Sequence, residues 1–421
     1  MNPERLVAGL DIGSSRTTAI IAEVVGDLPK HPNIKVLGVG QARTAGLRRG
    51  VVSDIAETMR SITKAMQDAE RMAGVPVEYV YAGIAGEHVQ AMTSSGVVAV
   101  NGDEVTRTDV ERAKEVARTQ AIPTDRELLH AIPQEYRVDK NEGIRDPVGM
   151  IGMRLETEMY LVTIGASPAM NLRKAVERAG YKVRELVLEP LASALAVLTE
   201  DEKELGVALV EMGAGSTDLA IFHEGKIRHL GTVGFGANSV TNDIVHGLGV
   251  TAGDAERLKE LYGCAYEPLM AESQDVIELP STVAQGERQI RLDSLAHIIH
   301  QRTDEILELV HRDVTSAGYA GLLSAGIVLT GGGSAIHGAA ELAADVFGTG
   351  VRVGSPADGI GGLSDAVEAP RFATAVGLAL YGAHRMALGI AGASGVRRKA
   401  MSAPGMDRLA QRVKAWLQDF F

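Results

Sequence analysis

The chain has 421 residues, 45% of them hydrophobic, which is enough to bury two lobes with separate cores. Its 48 glycines and an aromatic content of only 4% suit an α/β protein with many tight turns. A net charge of −12 argues against a nucleic-acid binder, and the single cysteine, Cys264, leaves no disulfide framework or Cys-rich zinc site and fits a reducing cytosol.

Met1 to Arg5 leads straight into a strand pattern with no signal peptide. Three strand-like runs, RLVAGLDIG, TTAIIAEVVG and IKVLGVGQAR, are joined by short turns and predict an antiparallel meander. SDIAETMRSITKAMQDAERMAG then predicts a helix capped by Ser53 or Asp54 and closed by Gly74. Ile55, Met59, Ile62, Met66 and Ala69 make its apolar face, and the methionines read as core. VEYVYAGIAG is another strand. Residues 86–162 change character, with a charged helix (TRTDVERAKEVARTQ), Pro123, Pro133 and Pro147, and several short alternating strands. They read as an inserted module. PAMNLRKAVERAG and PLASALAVLTEDEKELG are helices around the strand KVRELVLE.

At residue 207 the opening pattern returns. Asp11-Ile-Gly-Ser-Ser-Arg-Thr-Thr-Ala-Ile-Ile and Glu211-Met-Gly-Ala-Gly-Ser-Thr-Asp-Leu-Ala-Ile share an acid, an apolar residue, a glycine, small residues and a threonine in order. Such a repeat predicts two related lobes, each led by a strand-turn-strand. Helices follow at ANSVTNDIVHGLG and TAGDAERLKELYG, then a loop-rich stretch over 263–289 and a long helix, RLDSLAHIIHQRTDEILELVHRDVTSAG. AGIVLTGGGSAIHGAAELAADVFG reads as a buried strand, a triple glycine and a helix. No uncharged apolar run reaches the roughly 18 to 20 residues of a membrane span; the nearest, FATAVGLALYGAHRMALGIAGASG, is broken by His384 and Arg385.

Two small-residue hairpins can face each other across a cleft and offer backbone N–H groups and hydroxyls to phosphate oxygens. Gly13, Ser14, Ser15 and Arg16 would serve from the first hairpin, and Gly213, Ala214, Gly215, Ser216 and Thr217 from the second. Asp11 and Glu211 would accept hydrogen bonds from magnesium-bound water, since magnesium keeps much of its hydration. They are also the only catalytic candidates. Gly331, Gly332, Gly333 and Ile336 can pack bare backbone on a flat base, and Glu256 with Lys259, three apart on a helix, can hold a ribose or flank the base. No Walker lysine motif is present, so the cradle is not a P-loop.

In order and spacing these elements resemble the actin, sugar-kinase and heat-shock-ATPase superfamily: phosphate hairpins at 11–19 and 210–222, an adenosine motif at 327–343, and connecting helices at 189–198 and 373–382. The resemblance implies a two-lobed α/β actin-like ATPase fold, duplicated mixed-sheet domains around a cleft for ATP or ADP with Mg2+. Within the superfamily the chain resembles the FtsA family of bacterial actin-like division proteins. A module sits at 86–162, no insertion follows the first sheet, GANSVTNDIVHGLGVTAGDAERLKELYG matches the family's helix pair, and the chain ends in a linker and an amphipathic tip. Two departures stand out. Glu211 replaces the usual aspartate of the second hairpin and would displace a catalytic water, so hydrolysis is expected to be weak at most. Arg16 stands where many members carry lysine.

The resemblance implies a first lobe over 1–85 and 163–198 with a returning helix at 373–385, an α+β insert over 86–162, and a second lobe over 199–372 with its small subdomain at 231–310. A flexible linker over 386–406 and a membrane-targeting helix over 407–421 would follow. In MDRLAQRVKAWLQDFF, Leu409, Val413, Trp416, Leu417 and Phe420 share a helical stripe with Phe421 beside it, and basic residues flank it. Residues 392–421 sum to +4 and the remainder to −16, which suits an anionic bilayer interface. A helix docked on the body is the plain alternative. The resemblance further implies filaments at the division site, on the cytoplasmic face of the membrane. There the protein would grip the C-terminal peptide of FtsZ through a region containing Arg288, Arg302 and Glu305, while the insert meets neighbouring subunits and other division proteins. A PilM-like pilus protein and a small-metabolite kinase of the same superfamily stay open as other readings, although no acidic base is assigned for a kinase.

Overall fold

The computed structural model describes residues 3–26, 32–119, 122–271, 273, 275–279 and 288–394. Leu6–Ile12 (β1), Arg16–Val25 (β2) and Asn33–Arg43 (β3) form the expected antiparallel meander. Leu47–Arg48 (β4) and Val51–Val52 (β5) make a minimal hairpin, and Ile55–Ala73 (α1) follows. Asp54 caps α1 by accepting from the N–H groups of Ala56 and Glu57, and Gly74 closes it in the left-handed region at φ 70°. Ile62, Met66 and Ala69 are buried beneath it, while Ile55 and Met59 are half-buried. Tyr79–Ile84 (β6) then lies parallel to β1.

Residues His88–Asn171 form a compact unit of their own. Val89–Ala99 (β7), Arg107–Arg118 (α2), Arg126–Val138 (β8), Asn141–Ile144 (β9) and Arg154–Gly165 (β10) build a sheet in the order β7-β10-β8-β9, with α2 packed on β7 and β10. Short strands were expected here, but β7, β8 and β10 run to 11, 13 and 12 residues. Pro133 does not end β8; it sits at a register shift opposite Met159, the kind of irregularity at which a strand accommodates proline.

Ala166–Arg178 (α3), Lys182–Leu188 (β11), Glu189–Val197 (α4) and Glu200–Leu205 (α5) lead to the repeat: Val207–Met212 (β12), Thr217–His223 (β13) and Lys226–Val233 (β14). Ala237–Leu248 (α6), Ala252–Tyr262 (α7), Val276–Leu279 (β15), Arg288–Arg291 (β16) and Leu292–Ser316 (α8) come next, so the loop-rich stretch contains a small hairpin, β15–β16. Ile327–Thr330 (β17), Ala339–Phe347 (α9), Val351–Val353 (β18), Ile360–Gly362 (β19) and Ala373–Ser394 (α10) complete the described chain.

The two halves share one topology. The first sheet runs β11-β6-β1-β2-β3-β19 and the second β18-β17-β12-β13-β14. In each, a meander is followed by two strands parallel to its first member. Their central strands are buried along nearly their whole length, which explains the unbroken Val, Ile, Leu and Ala runs. Helices α4 and α10 cross in backbone contact, since a Cβ on Gly377 would stand 1.8 Å from the Ala192 carbonyl oxygen. Helix α10 corrects one boundary: it continues to Ser394, into the segment expected as linker over 386–406, because Met386, Ala387 and Leu388 extend the helix-forming run. The remainder of that linker and the expected tail helix over 407–421, with Leu409, Val413, Trp416, Leu417, Phe420 and Phe421, lie outside the described residues. No helix among the described residues is long and apolar enough to cross a membrane.

Candidate functional site

Each meander turns through the same closure. The N–H of Gly13 donates to the Arg16 carbonyl at 3.0 Å, and the N–H of Gly213 donates to the Ser216 carbonyl at 3.0 Å. The two tips meet: a Cβ on Gly215 would stand 2.5 Å from Ser14 Oγ and 3.3 Å from the Arg49 backbone nitrogen. Around them lies a cavity of about 600 Å³, lined by both tips, by Asp11 and Glu211, by Glu256 and Lys259, and by the triple glycine with Ile336. Apart from Thr217, every residue expected to hold the phosphates or the adenosine lies on this one cavity.

Thr217 is the exception. It is fully buried, and its hydroxyl donates to the Phe235 carbonyl at 2.9 Å. Side chains alternate along a strand, so Thr217 turns inward just as its counterpart Thr17 does, while the next residue, Asp218, reaches the cavity. The adenosine side also differs in detail. Lys259 Nζ donates to Glu256 Oε2 at 2.7 Å, Thr241 Oγ1 at 2.8 Å and the Ala237 carbonyl at 3.2 Å, which uses all three donors. Glu256 is therefore the member of the pair with an oxygen to offer. Gly331 (φ 80°) and Gly333 are required by Met212, whose backbone and side chain would meet their Cβ atoms within 3.0 Å; Gly332 would meet only Arg371 Cβ at 3.9 Å. Arg371 itself lines the cavity and carried no sequence signal.

Four carboxyls converge on the phosphate end: Asp11, Glu189, Glu211 and Asp218. Glu211 lies on the cavity, and its oxygens also accept from Ser193 Oγ at 2.8 Å and from Thr374 Oγ1, on α4 and α10, which anchors the carboxylate at the helix crossing. Asp218 likewise accepts from Thr232 Oγ1 at 2.7 Å and Ser216 Oγ at 3.0 Å. No side chain or N–H among the described residues donates to Asp11 or Glu189. Glu189 was missed because it reads as the first residue of a connecting helix; the acid directly before Pro190, at a helix start, was the available signal.

Burial holds these carboxyls above the ordinary range. Asp11 is pushed up to about 8 by burial and by Glu211 beside it. Burial lifts Glu211 to about 7 against the Thr374 and Ser193 hydrogen bonds, and Asp218 to about 6. Glu189 is raised well above its usual value by burial and then by the other three acids. The folded state thus holds protons that an unfolded chain has already released. Stability therefore falls as pH rises from about 5 through about 8, by about 1.4 kcal/mol per pH unit for each proton of difference. Thermal melts of nucleotide-free protein should show this decline, and magnesium with nucleotide should flatten it.

Carboxyls whose ionisation is disfavoured for want of countercharge fit a cation, which would supply it. Among the described residues no His, Cys, Asp and Glu group is arranged to ligate a metal directly, so Asp11 and its neighbours would hold one through its water shell. The peptide-site candidates lie elsewhere. Arg302, on α8, forks onto Asp243 of α6 and pairs with Glu305. Arg288 donates to the Leu248 carbonyl at 2.8 Å, at the other end of α6.

A family profile described as "Cell division protein FtsA" matches residues 208–377, and one described as "SHS2 domain inserted in FTSA" matches residues 86–163. Cell division protein FtsA of Pseudomonas aeruginosa is 40% identical, covering 99% of this chain and 98% of that one. The Escherichia coli protein of that name is 36% identical over the same shares, and the Bacillus subtilis one 37% identical over 90% of this chain and 83% of its own. Among solved structures, a PilM-PilN type IV pilus biogenesis complex aligns with a TM-score of 0.61 at 18% identity, covering 90% of this chain and 98% of that one. Ethanolamine utilization protein EutJ from Carboxydothermus hydrogenoformans aligns at 0.51 and 13% identity, covering 90% of each. At such identities these two speak to the fold alone.

Proposed function

This chain belongs to the FtsA family of bacterial cell division proteins, and on that premise we propose that it binds ATP or ADP with Mg2+ in the cleft between its duplicated halves. So loaded, it polymerises on the cytoplasmic face of the membrane and tethers FtsZ filaments by their C-terminal peptide. The observation that carries the nucleotide reading is the convergence of two equivalent glycine hairpins and four acids, two buried and two half-buried, on one cavity. Backbone N–H groups of the tips and the hydroxyls of Ser14, Ser15 and Ser216 would take the phosphate oxygens, with Arg16 adding positive charge. Arg16 makes a 3.8 Å exposed pair with Glu260, a contact worth little and easily exchanged. Asp11 would orient the water around the cation. Glu256 would take the ribose, and the backbone at Gly332 leaves room for the base.

Membrane attachment rests on the basic amphipathic sequence of 407–421 and its sign opposite to the body. Each large apolar side chain that it buries contributes about 1.5–3 kcal/mol before ordering costs, so one tail binds reversibly and many on a filament bind firmly. Deleting residues 406–421 should abolish co-sedimentation with anionic vesicles while leaving ATP binding intact; pelleting that survives the deletion would remove this part of the proposal. The peptide contact is assigned to the α6–α8 face at Arg302 and Glu305, with Arg288 nearby on β16. A capture assay with the host's FtsZ C-terminal peptide, with and without ATP, tests it. The insert would serve neighbouring subunits and later division proteins. A pilus role has only the shared fold behind it, and a metabolite kinase has no assigned substrate pocket.

A further inference from the structure

The hairpin β4–β5 turns through Arg49 and Gly50, both at positive φ, 48° and 77°. This is the backbone of a two-residue type I′ connection, a place where Asn and Gly are at ease and a long side chain is not. Gly50 is required, because a Cβ there would stand 2.0 Å from the Ala85 carbonyl oxygen. Nothing in the backbone asks for arginine at 49. Its guanidinium lies 5.7 Å from the centroid of the Phe235 ring. Arg302, on the candidate peptide face, lies 5.9 Å from the same ring.

Phe235 belongs to a segment strapped to the back of the second phosphate hairpin. Its carbonyl accepts from Thr217 Oγ1 at 2.9 Å, and the N–H groups of Ala237 and Asn238 donate to the carbonyls of Gly213 and Ala214, each at 2.9 Å. Between them, a Cβ on Gly236 would stand 2.6 Å and 2.8 Å from those same two carbonyl oxygens, so the strap has no slack. Helix α6 begins at Ala237, and its Asp243 receives the fork of Arg302. A continuous run of contacts therefore joins the phosphate tip to Arg302; the first lobe touches it at Gly215 through Ser14, at Gly234 through Glu87, and at the ring of Phe235 through Arg49.

We infer that Phe235 is a positioning residue that makes the grip of Arg302 on an acidic, FtsZ-type peptide depend on nucleotide in the cleft. This rests on the peptide reading proposed above. Bound phosphates draw the two tips together. Arg49 travels with the first lobe, beside the Gly215 tip, and Phe235 with the second. Closure places Arg49 on the ring as seen here; opening withdraws it and leaves the ring to Arg302 alone. The two-state element is the shared cation–π contact, and both sites bias it. Coupling of this kind is reciprocal, so peptide must tighten or loosen nucleotide by the same factor.

Full-length protein, labelled FtsZ C-terminal peptide and ATP with Mg2+ suffice for the test. Peptide affinity with and without nucleotide should differ by at least about fivefold in the wild type. Phe235→Leu, which keeps apolar volume but loses the π face, and Arg49→Asn should each bring the ratio below about twofold. Arg49→Asn should melt at or above the wild-type temperature, since asparagine suits the left-handed turn, so lost coupling there is not lost folding. A ratio retained in both variants, or a wild-type ratio near one, overturns the inference. Should the peptide bind in neither state, the peptide reading fails, and hydrogen exchange of α8 around Arg302 then decides the coupling. An ATP-dependent change present in the wild type and absent from both variants upholds it; no change, or the same change in all three, overturns it.

Discussion

Gly215→Val should weaken ATP binding by at least about 10²-fold while each half keeps its own core. A Cβ at this position meets Ser14 Oγ at 2.5 Å, Ser14 Cβ at 2.9 Å and the Arg49 nitrogen at 3.3 Å. Rotation of the serine hydroxyl relieves only the first of these. The other two need the tips to part, which spoils the one geometry in which backbone N–H groups from both halves reach the same phosphates. The strain does not lie in φ, because Gly215 is absent from the positive-φ positions, so folding of the hairpin itself is spared. Gly321→Ala, whose Cβ would meet nothing within 4 Å, is the matched control and should bind ATP like the wild type. Calorimetry on both variants checks the prediction; a Gly215→Val protein that binds within a few fold of the wild type would mean the tips do not close on nucleotide.

What the sequence made legible follows from which forces are local. The meanders, the α1 caps and the duplication could be read because alternation, Asp54, Gly74 and the repeated acid-x-Gly string each act within a few residues. The composition of the cavity was legible for the same reason, since glycines at two equivalent turns and at 331–333 mark close backbone approach. Parity was the weak point. The threonine at 217 matches the repeat by type, yet the strand carries it inward, and only the pairing of β12 with β13 reveals that Asp218 is the residue on the cleft. Glu211 and Lys259 lie on the cavity, but the partners that hold them within the chain carried no local signal. Ser193 and Thr374, which hold Glu211, lie 18 and 163 positions away. Thr241 and Ala237, which occupy Lys259, come from the neighbouring helix. The strand lengths of the insert were underestimated because Pro133 looks like an end and is in fact a register shift.

The division among the four acids decides what the cleft can do chemically, and it makes Glu189→Gln the substitution with the largest expected effect on turnover. Glu211 and Asp218 already accept hydrogen bonds from Ser193, Thr374, Ser216 and Thr232, which favour their ionised forms and make each a weaker base than a carboxyl without such donors. Asp11 lies at the first hairpin, on the cavity, where under the proposed function it would orient the water around a cation. Glu189 remains. It stands at the first residue of α4 against Gly83, where a Cβ would come within 2.9 Å of its Cγ and 3.0 Å of Oε1. Burial, and then the other acids around it, raise its pKa well above the usual carboxylate value; a bound cation would lower it and favour the form that accepts a proton. Glu189→Gln keeps shape and hydrogen bonding but cannot accept the proton. Single-turnover hydrolysis should fall by about 10² to 10⁴, with ATP affinity within a few fold of the wild type. Glu211→Gln should act differently, loosening the α4–α10 crossing and nucleotide retention together. Hydrolysis unchanged in Glu189→Gln would exclude this carboxyl as the base and leave Asp11 as the acid to examine.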